Sequence, residues 1–218
     1  MSRIAIVGGH GQVARHLIHD LRRSDHDVVA LVRRESYRAE LEQRGAQVRL
    51  LDIEEQGAAD FAAAFAGCAA VVFAAGGGPD GNKERKRTVD LEGSLKSIEG
   101  ARSAGIRRFV QVSAIGVDDP LPDDTGEVWR AYVEAKRDAD AALRSSDLDW
   151  TIIRPGRLTD DPATGLVTLG SSVLRGDVTR ADVAAVLAAV VDAPRTVGRQ
   201  WDLVGGDTPV AEAVATAG

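Results

Sequence analysis

The chain has 218 residues, 44% apolar and 28% charged, with a net charge of -6, enough for one sizeable core without disulfides or metals. The acidic balance speaks against nucleic acid or an anionic membrane as partner, and Cys68, the lone cysteine, excludes an intrachain disulfide. With aromatic residues at 4%, the chain is not built around stacking platforms; Ala, Val and Gly abound instead, which suits helices lying close on a sheet.

Met1-Ser2-Arg3 run directly into a first strand, Ile4 to Val7, leaving no room for a signal peptide. A cytoplasmic location is expected, with Cys68 as buried packing in a reducing compartment. A helix follows from Gly11 to Arg23, with Val13, Leu17, Ile18 and Leu21 at helical spacing. Val28 to Val32 reads as the second strand, the next helix ends at Gly45, and Val48 to Leu51 is the third strand. Phe61 and Phe65 lie one helical turn apart before Gly67, and Ala70 to Ala74 is the fourth strand. The uncharged stretch from Phe61 to Gly78 approaches the length of a membrane span, but the break at Gly67 makes it a helix end, a turn and a buried strand. A long helix spans Lys83 to Ala104 and stops at Gly105; Phe109 to Val112 is strand five, Glu127 to Arg144 a helix, and Trp150 to Ile153 strand six.

Beyond Arg154 the pattern loosens. Leu166 to Leu169 is a short strand, Thr179 with Asp182 caps a helix from Val183 to Val191, Trp201 to Val204 is the last strand, and the Ala-rich tail frays. Alternation of apolar runs with amphipathic stretches predicts an α/β fold: one Rossmann-type doubly wound domain over 1–218, mainly parallel, with about 154–218 forming a small cap over the sheet's carboxyl edge.

The order strand, Gly8-x-x-Gly11-x-x-Ala14, helix carries the most information. Gly8 permits a tight turn, Gly11 lets main chain approach a pyrophosphate, and Ala14 keeps helix and strand close. Gly9, His10, Gln12 and Val13 complete the turn, and the helix N-terminus offers N–H groups and a positive dipole end to phosphates. Strand two ends in Arg33-Arg34, where an NAD site ordinarily has an acidic residue; arginine suits the 2′-phosphate of NADP(H), with NAD(H) as the second choice. Glu35 competes for those arginines. Asp52, followed by Ile53, either closes an adenine pocket or caps a turn. Ala74-Ala75-Gly76-Gly77-Gly78-Pro79 fits close approach of main chain to a ligand, or a loop with no contacts.

Tyr132 and Lys136 stand four residues apart on one helix face. A neighbouring ammonium lowers a phenol's pKa from about 10 toward neutrality, which makes the tyrosine a proton donor or acceptor. Ser113 sits at the carboxyl end of strand five, the edge where such sheets bind ligands. The alternative makes Tyr132 a packing residue, Lys136 an exposed charge paired with Asp140, and Ser113 a satisfied strand-end hydroxyl. His10, His16, His19 and His26 read as surface residues, with His10 alone near phosphate, and no metal is expected.

Together, Gly-x-x-Gly-x-x-Ala, Ala-Ala-Gly, the strand-five Ser113, Tyr-x-x-x-Lys and Arg154-Pro155-Gly156 resemble the atypical short-chain dehydrogenase/reductases. The stretches from Thr88 to Gly93, Arg107 to Ser113, Ile115 to Pro120 and Leu148 to Gly156 are similar to the small bacterial members labelled NAD(P)H-binding or sugar epimerase. The resemblance implies Tyr132 as acid/base, Lys136 as the group that lowers its pKa and holds the nicotinamide ribose, and Pro155 and Gly156 near the nicotinamide. One departure stands out: the family's second polar residue on strand five is Ala114 here. The expected function is an NADP(H)-dependent oxidoreductase acting on a small carbonyl, quinone or similar molecule, in a monomer or homodimer. The alternatives are a non-catalytic NADP(H) sensor of NmrA-like type, an epimerase, or a flavin- or biliverdin-type reductase.

Overall fold

The computed structural model describes residues 2–78 and 81–217; Met1 and Pro79 lie outside them. Among the described residues one sheet of nine strands dominates, in the order β11-β8-β10-β6-β5-β4-β1-β2-β3. Its first half is β1 (Arg3–Val7), β2 (Asp27–Val32), β3 (Ala46–Leu50) and β4 (Ala70–Phe73), and it continues through β5 (Arg108–Val112), β6 (Asp149–Pro155) and β10 (Arg199–Gly205), all parallel. These strands are continuous apolar runs because both their faces are covered. β1, β2 and β4 carry almost nothing exposed beyond Arg3.

One face holds α1 (Gln12–Arg23), α7 (Arg180–Val191) and α8 (Val210–Thr216), whose Leu17, Ile18, Leu21, Val186, Leu187, Val190 and Val214 share a core with the sheet. The other face holds α3 (Ala58–Ala64), α5 (Gly93–Ser103) and α6 (Glu127–Arg144), packed through Phe61, Phe65, Ile98 and Leu143. α2 (Arg38–Gln43) packs beside β3. Helices on both faces of a parallel sheet, with the strand order reversing between β1 and β4, are the doubly wound Rossmann arrangement. Val7 is level with Leu31 and with Phe73, so the three strands deliver their following loops to one edge.

Three features depart from the sequence reading. Residues 154–218 do more than form a cap: β10 extends the parallel sheet, and β8 (Leu166–Gly170) and β11 (Thr208–Pro209) add antiparallel strands beyond it. Only the short pair β7 (Arg157–Thr159) and β9 (Asp177–Thr179) stands apart. The Ala-rich tail does not fray. Val210, Ala213, Val214 and Ala217 repeat at helical spacing and seat α8 on the core. Finally, the long helix opens with α4 (Lys83–Arg85), runs through a π-helical turn at Lys86–Glu92 and then enters α5. π turns inside helices frequently mark functional positions.

Candidate active site

The strand ends open into a cleft of two adjoining cavities that share Ala74, Ala75 and Gly76. The smaller, of about 260 Å³, lies at the β1–β2–β3 end and is lined by Gly8, His10, Gly11, Arg33, Asp52 and Ile53 among others. The larger, of about 1170 Å³, is lined by Val13, Ser113, Ala114, Tyr132, Lys136, Pro155 and Gly156 among others.

The glycine turn is forced by its neighbours. Gly8 has φ +81°, and a Cβ there would stand 2.8 Å from the Ala75 main chain, so only glycine fits without strain. Gly9 lies beneath the cleft rather than along it: its N–H donates to the Leu31 carbonyl at 3.0 Å, and a Cβ would meet Ala30 at 2.7 Å. Its work is closing β1 onto β2. Gly11 donates its own N–H to the Gly8 carbonyl at 2.8 Å, so its amide is spent inside the turn. The N–H groups of Gln12, Val13 and Ala14 follow, with no side-chain cap and no acidic residue in the first turn. Uncapped amides beside a glycine cradle, without a competing carboxylate, fit a diphosphate.

His10 stacks on Tyr37 with ring centroids 3.6 Å apart, and its Nε2 lies 3.1 Å from Glu40. Its partners are on α2 and the turn before it, so the ring edges the cavity as part of a structural cluster. Arg33 lines the cavity, 3.9 Å from Glu54, and Arg85 joins it 3.4 Å from the same carboxylate. Arg34 does not line the cavity; its guanidinium lies 5.9 Å from the centre of the Tyr37 ring. Glu35 does not compete for either arginine; it pairs with Arg38. Asp52 caps its own turn, accepting the Glu54 N–H at 3.0 Å, while still bordering the cavity. Glu54 and Arg85 escaped the sequence reading because nothing local to them marks a pocket.

In the larger cavity the charges are buried and interlocked. Lys136 is 4% exposed. Its ammonium lies 3.1 Å from Asp90 Oδ1 and donates to the Val112 carbonyl at 3.2 Å. The partner is therefore Asp90, from the π turn, and not Asp140. Asp90 Oδ2 also accepts the Gly77 N–H at 2.8 Å, which ties down the glycine run. Asp140 is fully buried and accepts from Gln111 Nε2 at 2.7 Å, Ser113 Oγ at 2.7 Å and Arg154 Nε at 2.9 Å. Arg154 reaches on to Asp118 at 2.7 Å. Ser113 thus gives its only proton to Asp140 and presents lone pairs alone to the cavity.

Tyr132 is where the electrostatics reverse the expectation. Burial pushes its phenol above the ordinary value of 10.0; Lys136 pulls it down, but Asp90 and Asp140 push it up again. The lysine alone would acidify the phenol; two carboxylates and desolvation outweigh it. For Lys136, burial works to discharge the ammonium, yet Asp90 foremost, with Tyr132 and Asp140, holds it above its usual range. The pair is a protonated phenol beside a neutralised ion pair.

Away from the cleft, His26 is buried at 5% exposure and pairs with Asp192 at 2.6 Å, so it is not the surface residue expected. His16 and His19 are exposed. Cys68 is half-buried with its thiol pushed up by burial. Among the described residues no cluster of three metal-ligating side chains forms, and no helix is long and apolar enough to cross a membrane.

A doubly wound sheet with a glycine turn at its first crossover, and a cleft across the point where strand order reverses, defines a dinucleotide-binding protein. Residues 8–194 match the family model described as NAD(P)H-binding. The chain belongs to that NAD(P)H-binding family, as the resemblance to atypical short-chain dehydrogenase/reductases implied. It is 38% identical over 213 residues to YhfK of Bacillus subtilis, described as an uncharacterized sugar epimerase, covering 97% of this chain and 98% of that one. Its structure is similar to that of a Bacillus halodurans protein provisionally called a NAD-dependent epimerase/dehydratase, with TM-score 0.90, 42% identity and 99% of each chain covered. It is also similar to ChuY of Escherichia coli O157:H7, described as an anaerobillin reductase, with TM-score 0.77 and 28% identity over 94% of this chain and 98% of that one.

Proposed function

We propose that the chain is an NADP(H)-dependent reductase of a small carbonyl, quinone or similar conjugated acceptor, with Tyr132 as its proton donor. The observation that carries this reading is a cavity of about 1170 Å³, continuous with the glycine-turn cavity, on which Tyr132 and Lys136 both open. The nicotinamide, when bound, supplies the hydride. Val13, Ala74, Ala75, Gly76, Pro155 and Gly156 wall the region that would receive it. Gln12, Val13 and Ala14 offer amides to the diphosphate, and Arg33 with Arg85 brings two guanidinium groups to the adenosine end, which favours a 2′-phosphate.

A phenol held above its ordinary pKa stays protonated at neutral pH, so it stands in the form that the reductive direction needs, with a proton to give to a substrate oxygen. Asp140, through Ser113 and Arg154, fixes the ends of β5 and β6 beneath the cavity, a positioning role. Because the Ser113 hydroxyl gives its proton to Asp140 and Ala114 has no side-chain donor, we assign polarisation of the substrate oxygen to Tyr132.

The test is NADPH consumption against a panel of quinones, flavins and carbonyls. Tyr132→Phe is expected to lower turnover by about a hundredfold while leaving NADPH affinity intact. Tight NADPH binding with no turnover by wild type across the panel would favour the sensor reading instead. Unchanged turnover in the variant would leave cofactor positioning alone as the catalytic device.

A further inference from the structure

The walls of the larger cavity carry several cations, and all but one have a carboxylate partner. Lys136 pairs with Asp90, Arg157 with Asp177, Arg175 with Asp119 and Arg180 with Asp160. Lys86 is the exception among the described residues. It is 6% exposed, and its ammonium donates to the Gly78 carbonyl alone. Three N–H donors with one acceptor leave a buried charge short of partners, a costly arrangement unless something anionic completes it. The residue sits on the π turn, on the same wall as Asp90, and it lines the substrate-side cavity but not the adenosine side. The same cavity also has apolar lining from Val112, Ile115, Val128, Trp129 and Leu158. Trp129 is 52% exposed and lies 5.2 Å from Tyr132, ring centre to ring centre.

We propose that the substrate is an apolar, planar acceptor bearing a carboxylate, and that this carboxylate docks on the ammonium of Lys86. The proposal rests on the reductase reading above and names the substrate class for the same site. A charge-assisted hydrogen bond to a buried ammonium discriminates between an anion and its neutral ester.

The test is equilibrium binding to the NADP-loaded full chain, with para-formylbenzoate and its methyl ester as paired probes. NADPH affinity and melting temperature are measured first for wild type, Lys86→Met and Lys86→Arg, with Lys86→Gln replacing the methionine variant if that one does not fold. Wild type is expected to bind the carboxylate about tenfold tighter than the ester or better. Lys86→Met is expected to erase that preference with NADPH affinity retained, and Lys86→Arg to keep it. Equal binding of the two probes by wild type, or no binding of either, overturns the proposal. So does a parallel loss of NADPH affinity in Lys86→Met, which gives the lysine to the cofactor's phosphates. If wild type has no NADPH affinity at all, the reductase reading fails before any probe is added, and this proposal falls with it.

Discussion

Around Gly8 the cleft wall is main chain, whereas around Tyr132 it is a mesh of buried ionised side chains. The first wall works through what is missing, Cβ atoms and an N-terminal cap, and its main-chain turn is built from residues adjacent in sequence, Gly8 to Gly11. The second works through pairing: Asp90 with Lys136, and Asp140 with Gln111, Ser113 and Arg154, each pair joining separate parts of the chain. A backbone wall is tolerant of everything except bulk. A paired wall is intolerant of losing any one member, because the remainder is left charged and dry.

The largest effect should therefore come from the paired wall. Asp140→Ala leaves the buried Arg154 guanidinium with Asp118 alone and takes the acceptor from Gln111 and Ser113, and should cost about 3–5 kcal/mol in denaturant unfolding. Asp52→Ala, which removes only a local turn cap at the other wall, should cost about 1 kcal/mol or less; equal losses would break the comparison. Next comes Gly8→Ala, with about 1–2 kcal/mol from the left-handed backbone alone. Because its Cβ also presses on Ala75, calorimetric titration should show NADPH affinity falling along with stability. Arg33→Ala should leave the fold untouched and weaken NADPH about tenfold more than NADH; equal weakening removes the 2′-phosphate assignment. Asp90→Asn takes the carboxylate from buried Lys136 and so costs stability; its smallest readout, the pH profile, sharpens the electrostatics. Asp90 raises the Tyr132 pKa by repelling the phenolate, so in Asp90→Asn the phenol ionises at lower pH. The alkaline loss of reductive turnover should then begin earlier than in wild type, as read from the pH–rate profile; no movement would mean that Tyr132 is not the donor.

The same contrast explains what was readable from the chain itself. The glycine turn is local: Gly8, His10 and Gly11 line the smaller cavity and Val13 the larger, while Gly9, Gln12 and Ala14 line neither. Helix α6 was legible to the residue from its periodicity. Tyr132 and Lys136 were found on one helix face, yet their electrostatics were not. The sequence offers the phenol an ammonium, but gives no sign that Asp90 neutralises it from a distant helix. Glu54, Asp90 and Asp140 were invisible for the same reason: a solitary carboxylate in a list of residues has no partner until the chain is folded. The π turn was hidden because apolar spacing does not distinguish four residues per turn from slightly more. The tail helix, by contrast, was written plainly at Val210, Ala213, Val214 and Ala217, and was passed over because Ala-rich ends so often fray.

Arg85 and Lys86 are neighbours in the chain, yet one lines the smaller cavity and the other the larger. That division of labour depends on the phase of the wide turn that begins at Lys86. Removing a single residue there, so that the turn tightened to ordinary α geometry, would swing everything upstream by roughly 100° about the helix axis. Both cations would leave their walls at once while the sheet and its glycine turn stayed as they are. A lone codon deletion in this helix is thus expected to take a cation from each cavity in one step.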